Sequence, residues 1–182
     1  MRERVPSCQP RYLITMVSST QISVEEYLRT SYDPDREYVD GEVLDRNLGE
    51  KSHSKVQKRL MLVFAQLEAK LGIFVLQEWR MRTGERRYRI PDFLVVAGPE
   101  PDEVVLSSPP FICVEILSPE DRMSRMQKKV AEYLAFGVRY VWVLDPESEE
   151  AFCYTAAGIQ KVADVLRTED PAIEIPLAEI FD

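Results

Sequence analysis

The chain has 182 residues, enough for one ordinary domain with its own core. Its hydrophobic share of 45% and charged share of 30% are typical of a globular protein, and no apolar run approaches the roughly 20 residues that a membrane-spanning helix needs. We therefore expect a cytoplasmic protein with no membrane partner. Three cysteines cannot all pair, and with one histidine a structural zinc site is not expected.

The first part of the chain divides into an extension and the start of a domain. Residues 1–20 lack periodicity and are predicted to form an N-terminal extension, whereas residues 21–182 are predicted to form a single domain. Residues 22–28 predict a short helix, because Ser23 is a good N-cap and Glu26 completes a capping box.

A hairpin and a long helix follow. Residues 37–46 predict two short strands, because Asp40-Gly41 between them is a strong turn signal. Apolar side chains recur at helical spacing through residues 51–71, and Gly72 is a typical helix-terminating residue.

The second half alternates strands with one more helix. An apolar strand, a helix and a further apolar strand in succession indicate a crossover connection within one sheet. We predict a mixed β-sheet flanked by helices, in the α/β class. Its expected strands are residues 74–82, 88–96, 111–117 and 138–144, with a helix at 118–136 and a last hairpin at 151–154 and 159–162.

Two acids interrupt neighbouring apolar runs. Asp92 follows Pro91 at the start of one run, and Glu115 lies inside the next. A buried carboxylate without a partner is costly, and two could share one divalent cation, which prefers oxygen ligands. The alternative is that Asp92 caps a turn and Glu115 pairs with an arginine at a strand edge. The two acids together favour a metal site.

A lysine on the following helix is a candidate companion. At about 100° per residue, Lys129 lies at the edge of the apolar face, whereas Lys128 points away from it. Near two metal-binding acids, Lys129 could orient water or stabilise charge on a phosphate. Ordinary snorkelling at the rim of the core remains an equal alternative on geometry.

Other polar residues carry weaker signals. His53 could be a base or a phosphate contact, although a lone histidine there is more often a polar residue at a helix start. Glu37 and Glu42 flank the hairpin turn and are most simply solvated. The net charge of -8 argues against a nucleic-acid partner, but basic groups around Arg80 to Arg89 and Arg122 to Lys129 leave a local basic surface open. The competing interpretation is a solvated hairpin face.

The ordered motifs identify a family. Pro91-Asp92 followed by Glu115 resembles the PD-(D/E)XK nuclease superfamily, and the chain is similar to the Uma-type family of restriction endonuclease-like proteins. The matching segments are ISVEEYL at 22–28, EYVDGE at 37–42, RIPDFLVV at 89–96, VEILSP at 114–119, KVAEY at 129–133 and GVRYVWVLDP at 137–146.

The resemblance implies a restriction endonuclease-like α/β core with Asp92 and Glu115 as metal ligands. The superfamily usually places its lysine two residues after the second acid, where this chain has Leu117; the Uma-type family looks as if it supplies the lysine from the next helix, which matches Lys129. Glu42 matches a family glutamate and is a candidate additional site residue.

The expected function is therefore hydrolysis of phosphodiester bonds, with DNA as the expected substrate and Mg²⁺, for which Mn²⁺ can substitute, as the cofactor. A dimer is expected, since such nucleases usually cut both strands as dimers. The alternative is an inactive nuclease-fold module that binds nucleic acid or a protein; a third interpretation is a structural domain. The residues expected to contact nucleic acid are Arg87, Arg89, Arg122 and Arg125.

Overall fold

The computed structural model describes residues 21–46 and 50–182. The described helices are α1 (Val24–Arg29), α2 (Lys51–Leu71), α3 (Met123–Phe136) and α4 (Leu177–Phe181). The described strands are β1 (Glu37–Val39), β2 (Glu42–Leu44), β3 (Ile73–Gln77), β4 (Met81–Gly84), β5 (Arg87–Arg89), β6 (Phe93–Ala97), β7 (Ile112–Ile116), β8 (Tyr140–Asp145), β9 (Glu150–Thr155), β10 (Gly158–Val162), β11 (Val165–Arg167) and β12 (Glu174–Pro176).

The core of the molecule is a six-stranded sheet in the order β10-β9-β8-β7-β6-β3. Strands β7 and β8 are parallel and are joined through α3, while the other neighbouring pairs are antiparallel. A parallel pair needs such a crossover, as the residue pattern predicted. The predicted fold class, a mixed sheet flanked by helices, is confirmed.

The two long helices cover opposite faces of this sheet. Successive side chains of a strand point to opposite faces, so β7 directs Val114 toward α2 and Cys113 toward α3. Leu60 and Phe64 of α2 lie in the first core, and Val130 of α3 lies in the second. By the same alternation, Glu115 belongs to the α3 face.

A smaller four-stranded sheet, in the order β2-β1-β5-β4, packs with α1 around a cluster of tyrosines. Tyr27 of α1 stacks on Tyr38 of β1, and Tyr38 lies opposite Tyr88 of β5 in an antiparallel pair. The register places Glu37, the residue before Tyr38, beside Arg89, the residue after Tyr88. The small sheet therefore presents an acid and a base side by side.

The short helix, the hairpin, α2, the crossover and the last hairpin all form as predicted, but the strands at 74–82 and 88–96 do not. The first breaks at Glu78, whose φ of 51° leaves the extended region. The second breaks around Pro91, which has no N–H for a strand ladder. Each expected strand is thus two strands, one in each sheet.

Two other boundaries differ from prediction. Helix α3 begins at Met123 rather than at residue 118, because Ser118 and Asp121 close a turn first: Asp121 Oδ2 accepts from Ser118 N at 2.8 Å. The segment from Val165 to Phe181, with β11, β12 and α4, was not predicted. The predicted extension at residues 1–20 lies outside the described residues. Within the described part of the chain, no helix is both long and apolar enough to cross a membrane.

Candidate functional site

Asp92 and Glu115 meet at one edge of the large sheet. Phe93 of β6 pairs with Val114 of β7, so Asp92, just before Phe93, and Glu115, just after Val114, take adjacent positions. Both carboxylates are buried and line one cavity of about 50 Å³. The structure thus brings together two acids that are 23 residues apart in sequence.

Asp92 is held by three donors. Its Oδ2 accepts from the backbone N–H of Ile116 at 2.7 Å, and His53 Nε2 lies 3.4 Å from the same oxygen. Its Oδ1 lies 3.4 Å from Nη2 of Arg46. The Ile116 bond fixes Asp92 to β7, while the two longer contacts are weaker than normal charge-assisted bonds of about 2.7–2.9 Å.

Glu115 binds two groups of helix α3. The ammonium of Lys129 lies 2.9 Å from each carboxylate oxygen, and the hydroxyl of Tyr133 donates to Oε1 at 2.7 Å. Burial raises the pKa of Glu115 to about 7; the charges of Asp92 and Glu37 add to the rise, while Lys129 and Tyr133 oppose it. Glu115 can therefore hold a proton near neutral pH.

Lys129 lies against Glu115, on the side of α3 that helical periodicity predicts to border the core. Its side chain is 13% exposed, whereas Lys128 is exposed. Burial disfavours the charged form, but Glu115 and Glu37 outweigh it and raise the pKa of Lys129. The lysine is thus a fixed cation within the site.

Glu37 is the residue of this site that sequence reasoning assigned wrongly. It was expected to be solvated, yet it is 1% exposed, because β1 places it in contact with Lys129 of α3. Its Oε1 lies 2.9 Å from Lys129 Nζ, and its Oε2 accepts from Arg89 at 3.0 Å. Burial opposes its charge, but Lys129 and Arg89 lower the pKa of Glu37 to about 2. Glu42, the predicted additional site residue, is exposed and does not line the cavity.

The predicted nucleic-acid contacts fall in different places. Arg89 is buried between Glu37 and Glu132, so it does not present a surface to nucleic acid as expected. Arg87 and Arg122 are exposed away from the cavity lining. Arg125 is exposed at the cavity and donates to the carbonyl of Asp45 at 2.9 Å.

Three further residues join the site without having been selected from sequence. Tyr133 could have been found, since it follows Lys129 by four residues and so shares its helix face. His53 was noted but set aside; it is buried at the cavity, and although burial lowers its pKa, contact with Asp92 raises the pKa overall. Arg46 carried no sequence signal, because its contact with Asp92 spans 46 residues.

The donor set suits a small divalent cation. Among residues 21–46 and 50–182, no group of three or more His, Cys, Asp or Glu side chains is arranged to hold a metal. Asp92 and Glu115 nevertheless supply hard oxygen donors to one cavity, and its volume exceeds the roughly 10–15 Å³ that a water molecule requires. An ion such as Mg²⁺ usually binds through one or two carboxylates and keeps several waters, so these residues fit it.

Glu37 and Glu115, the two buried glutamates of the site, predict opposite effects of pH on stability. From pH 2 to 4.5 the unfolded chain holds a proton on Glu37 that the native protein does not, so the free energy of unfolding rises with pH. From pH 4.5 to 7 the native protein holds the proton on Glu115, so the free energy of unfolding falls.

Urea unfolding in EDTA at a series of pH values measures both effects. Glu37→Gln should flatten the acid limb, and Glu115→Gln should flatten the limb from pH 4.5 to 7. Unchanged limbs in both variants would contradict the assigned proton affinities.

Comparison with known proteins agrees with the fold. Residues 24–179 match the Uma2 family, described as "Putative restriction endonuclease". No curated protein matches the chain. A crystal structure from Anabaena variabilis, described as "a putative nuclease belonging to DUF820", is similar in fold with a TM-score of 0.76 at 20% identity, covering 88% of this chain and 97% of that one. The protein is therefore a member of the Uma2 family of restriction endonuclease-like proteins.

Proposed function

We propose that the protein is a metal-dependent endonuclease that hydrolyses phosphodiester bonds, with DNA as its substrate. The observation that carries this proposal is the convergence of Asp92 and Glu115 on one cavity, with the Lys129 ammonium bound to Glu115. Two carboxylates can hold a cation that assists attack of water on a phosphate, and a lysine can stabilise the charge that develops there.

Asp92 and Glu115 would hold the cation. A bound Mg²⁺ or Mn²⁺ supplies Lewis-acid polarisation of a phosphoryl oxygen and an acidified water. The N–H of Ile116 fixes the orientation of the Asp92 carboxylate, and Tyr133 fixes that of Glu115. Because binding to a metal requires the carboxylate form, protonation of Glu115 below about pH 7 would weaken it.

Lys129 would stabilise negative charge rather than accept a proton. Its raised pKa keeps the side chain as an ammonium, which has three donors and no lone pair for a proton. A fixed cation beside the cavity lowers the energy of a phosphate that gains charge in the transition state. Its supply from α3 instead of position 117 changes the route of the side chain but not the chemistry.

The balance of charge at the cavity suits a phosphate once a divalent cation is bound. The cavity lining has four acids and three bases apart from His53, so its net charge is slightly negative when all of them are ionised. A divalent cation would make that net charge positive. Arg46 and Arg125 would then contact the phosphate through guanidinium groups, which match its oxygens geometrically. The charged residues of the lining are the acids Glu37, Asp92, Glu115 and Asp121 and the bases Arg46, Arg125 and Lys129, with His53.

An inactive module that binds nucleic acid or a protein partner is the second candidate. It is favoured by the contacts that both acids already make: Asp92 with Arg46 and His53, and Glu115 with Lys129. Such pairs stabilise buried carboxylates without a metal. Binding without cutting would identify this alternative.

The test is a cleavage assay on supercoiled plasmid and on single-stranded oligonucleotides. We expect nicking and linearisation in Mg²⁺ or Mn²⁺ and none in EDTA. The exposed side chains of Arg87, Arg122 and Arg125 would contact further phosphates along the DNA backbone. The affinity for DNA should therefore fall steeply as the salt concentration rises. Light scattering with and without duplex would test the expected dimer. Equal product in metal and in EDTA would overturn the proposed function.

A further inference from the structure

We propose that Glu37 is a positioning residue that holds the Lys129 ammonium over Glu115. The inference rests on the proposed function for its catalytic meaning, and on the contacts of Glu37 for its physical basis. Glu37 would act through Lys129 and would not itself touch the DNA.

The ammonium of Lys129 lies between two buried carboxylates. Its Nζ is 2.9 Å from Glu37 Oε1 and 2.9 Å from Glu115. A lysine side chain has four rotatable bonds, and holding it in one position costs conformational entropy. Binding to Glu37 restricts that freedom. If Glu115 held the proposed cation, Glu37 would remain as the carboxylate that keeps the ammonium in the site.

Glu37 is itself held from two sides. Its Oε1 accepts from the backbone N–H of Ile90 at 3.2 Å, and its Oε2 accepts from Nη1 of Arg89 at 3.0 Å. Arg89 is fixed in turn by Glu132, which accepts from its Nε at 3.1 Å and from its Nη2 at 2.6 Å. The hydroxyl of Thr83 donates to Glu132 as well. A continuous hydrogen-bonded chain therefore supports the carboxylate.

This arrangement explains how a lysine supplied from a helix can be placed precisely. Glu37 and Arg89 stand on adjacent strands of the small sheet, next to the Tyr38–Tyr88 pair, so the sheet sets their positions. Side chains supported by strands and by a second layer of hydrogen bonds hold catalytic geometry more tightly than side chains on loops. The small sheet thus has a role in the site of the large one.

The experiment compares Glu37→Gln with Glu42→Gln, its matched control on the same hairpin, where Glu42 is exposed. Lysines are acetylated in native buffer with an amine-reactive ester and quantified by mass spectrometry, with exposed Lys128 as the internal reference. Labelling of Lys129 should rise about tenfold in Glu37→Gln, the factor expected for losing one hydrogen bond to a charged group. It should stay unchanged in Glu42→Gln.

Cleavage kinetics provide the second measurement. Glu37→Gln should lower kcat about 100-fold, as expected for a misplaced catalytic group, with KM for DNA unchanged. Glu37→Gln combined with Lys129→Ala should be no slower than Lys129→Ala. A wild-type protein that cuts no DNA would remove the proposed function, but the labelling result would still decide whether Glu37 positions Lys129.

Unchanged labelling of Lys129 in Glu37→Gln would overturn the inference. Multiplicative losses in the double variant would overturn it as well, since they would show that Glu37 acts independently of the lysine. If Glu37→Gln does not fold, Glu37→Asp gives the same test, because it keeps the charge and withdraws it by one methylene. Labelling of Lys129 should then rise by a smaller factor, and no rise would overturn the inference.

Discussion

Replacing Asp92 with asparagine should reduce the metal-dependent rate of DNA hydrolysis by at least about 1000-fold. The substitution keeps the size of the side chain and removes its charge, so the proposed cation loses one of its two carboxylates. Metal catalysis supplies several kcal/mol of transition-state stabilisation, and about 4 kcal/mol corresponds to a factor near 1000. The measurement is the single-turnover rate of plasmid nicking at saturating Mg²⁺.

Glu78→Gln is the matched control for Asp92→Asn. Glu78 also contacts Arg46, at 3.3 Å, but it is exposed and lies outside the cavity lining. Its variant should cut DNA within about threefold of wild type, as expected for a surface change. If Asp92→Asn retained wild-type activity, or if both variants lost activity equally, Asp92 would not be a ligand.

Removing the ammonium of Lys129 should cost about 100-fold or more in kcat. Lys129→Ala leaves the two proposed ligands in place but deletes the ammonium that we propose stabilises the charge developing on the phosphate, and losing one such group typically costs 100- to 1000-fold. The measurement is the cleavage rate at saturating DNA and metal, together with the affinity for Mn²⁺ by titration calorimetry.

Lys128→Ala tests the specificity of that effect. Lys128 lies on the same helix but is exposed, so its removal should leave kcat within about threefold of wild type and alter mainly salt-dependent DNA affinity. Equal losses from both variants would show a general electrostatic role for the helix. Full activity in Lys129→Ala would exclude the lysine from the chemistry.

The central pair of the site is predictable from sequence because its geometry is local to the sheet. An acid beside Pro91 and an acid within an apolar run mark sites where burial demands compensation. Neighbouring strands and two-residue alternation then place Asp92 and Glu115 on one face. Helical periodicity distinguishes Lys129 from Lys128 because it, too, depends only on local geometry, within one helix.

Glu37 is not predictable in this way. Its burial depends on how the small sheet packs against α3, and its contact with Lys129 joins residues that are far apart in the chain. Beside a strong turn signal at Asp40-Gly41, a glutamate has the ordinary composition of a solvated hairpin. Arg46 and His53 also contact Asp92 from positions that are far from it in the sequence.

The strand errors have distinct causes. Pro91 indicates a break in the strand, but the residues around it are apolar and predict a continuous strand. Proline also occurs at the first residue of a strand and on edge strands, so its presence alone does not distinguish one strand from two. Glu78 carried no signal, since glutamate has no preference for the positive φ that it adopts. The division of the strands between two sheets, and hence the position of Glu37, follows from these two breaks.

A crystal soaked in MnCl₂ and measured at the manganese absorption edge tests the central claim most directly. The proposed site predicts an anomalous peak about 2 Å from a carboxylate oxygen of Asp92 and about 2 Å from one of Glu115. It also predicts that the peak is lost in Asp92→Asn. A map without manganese at this cavity, in which Arg46 and Lys129 still bind the two carboxylates, would contradict a metal-dependent nuclease site here.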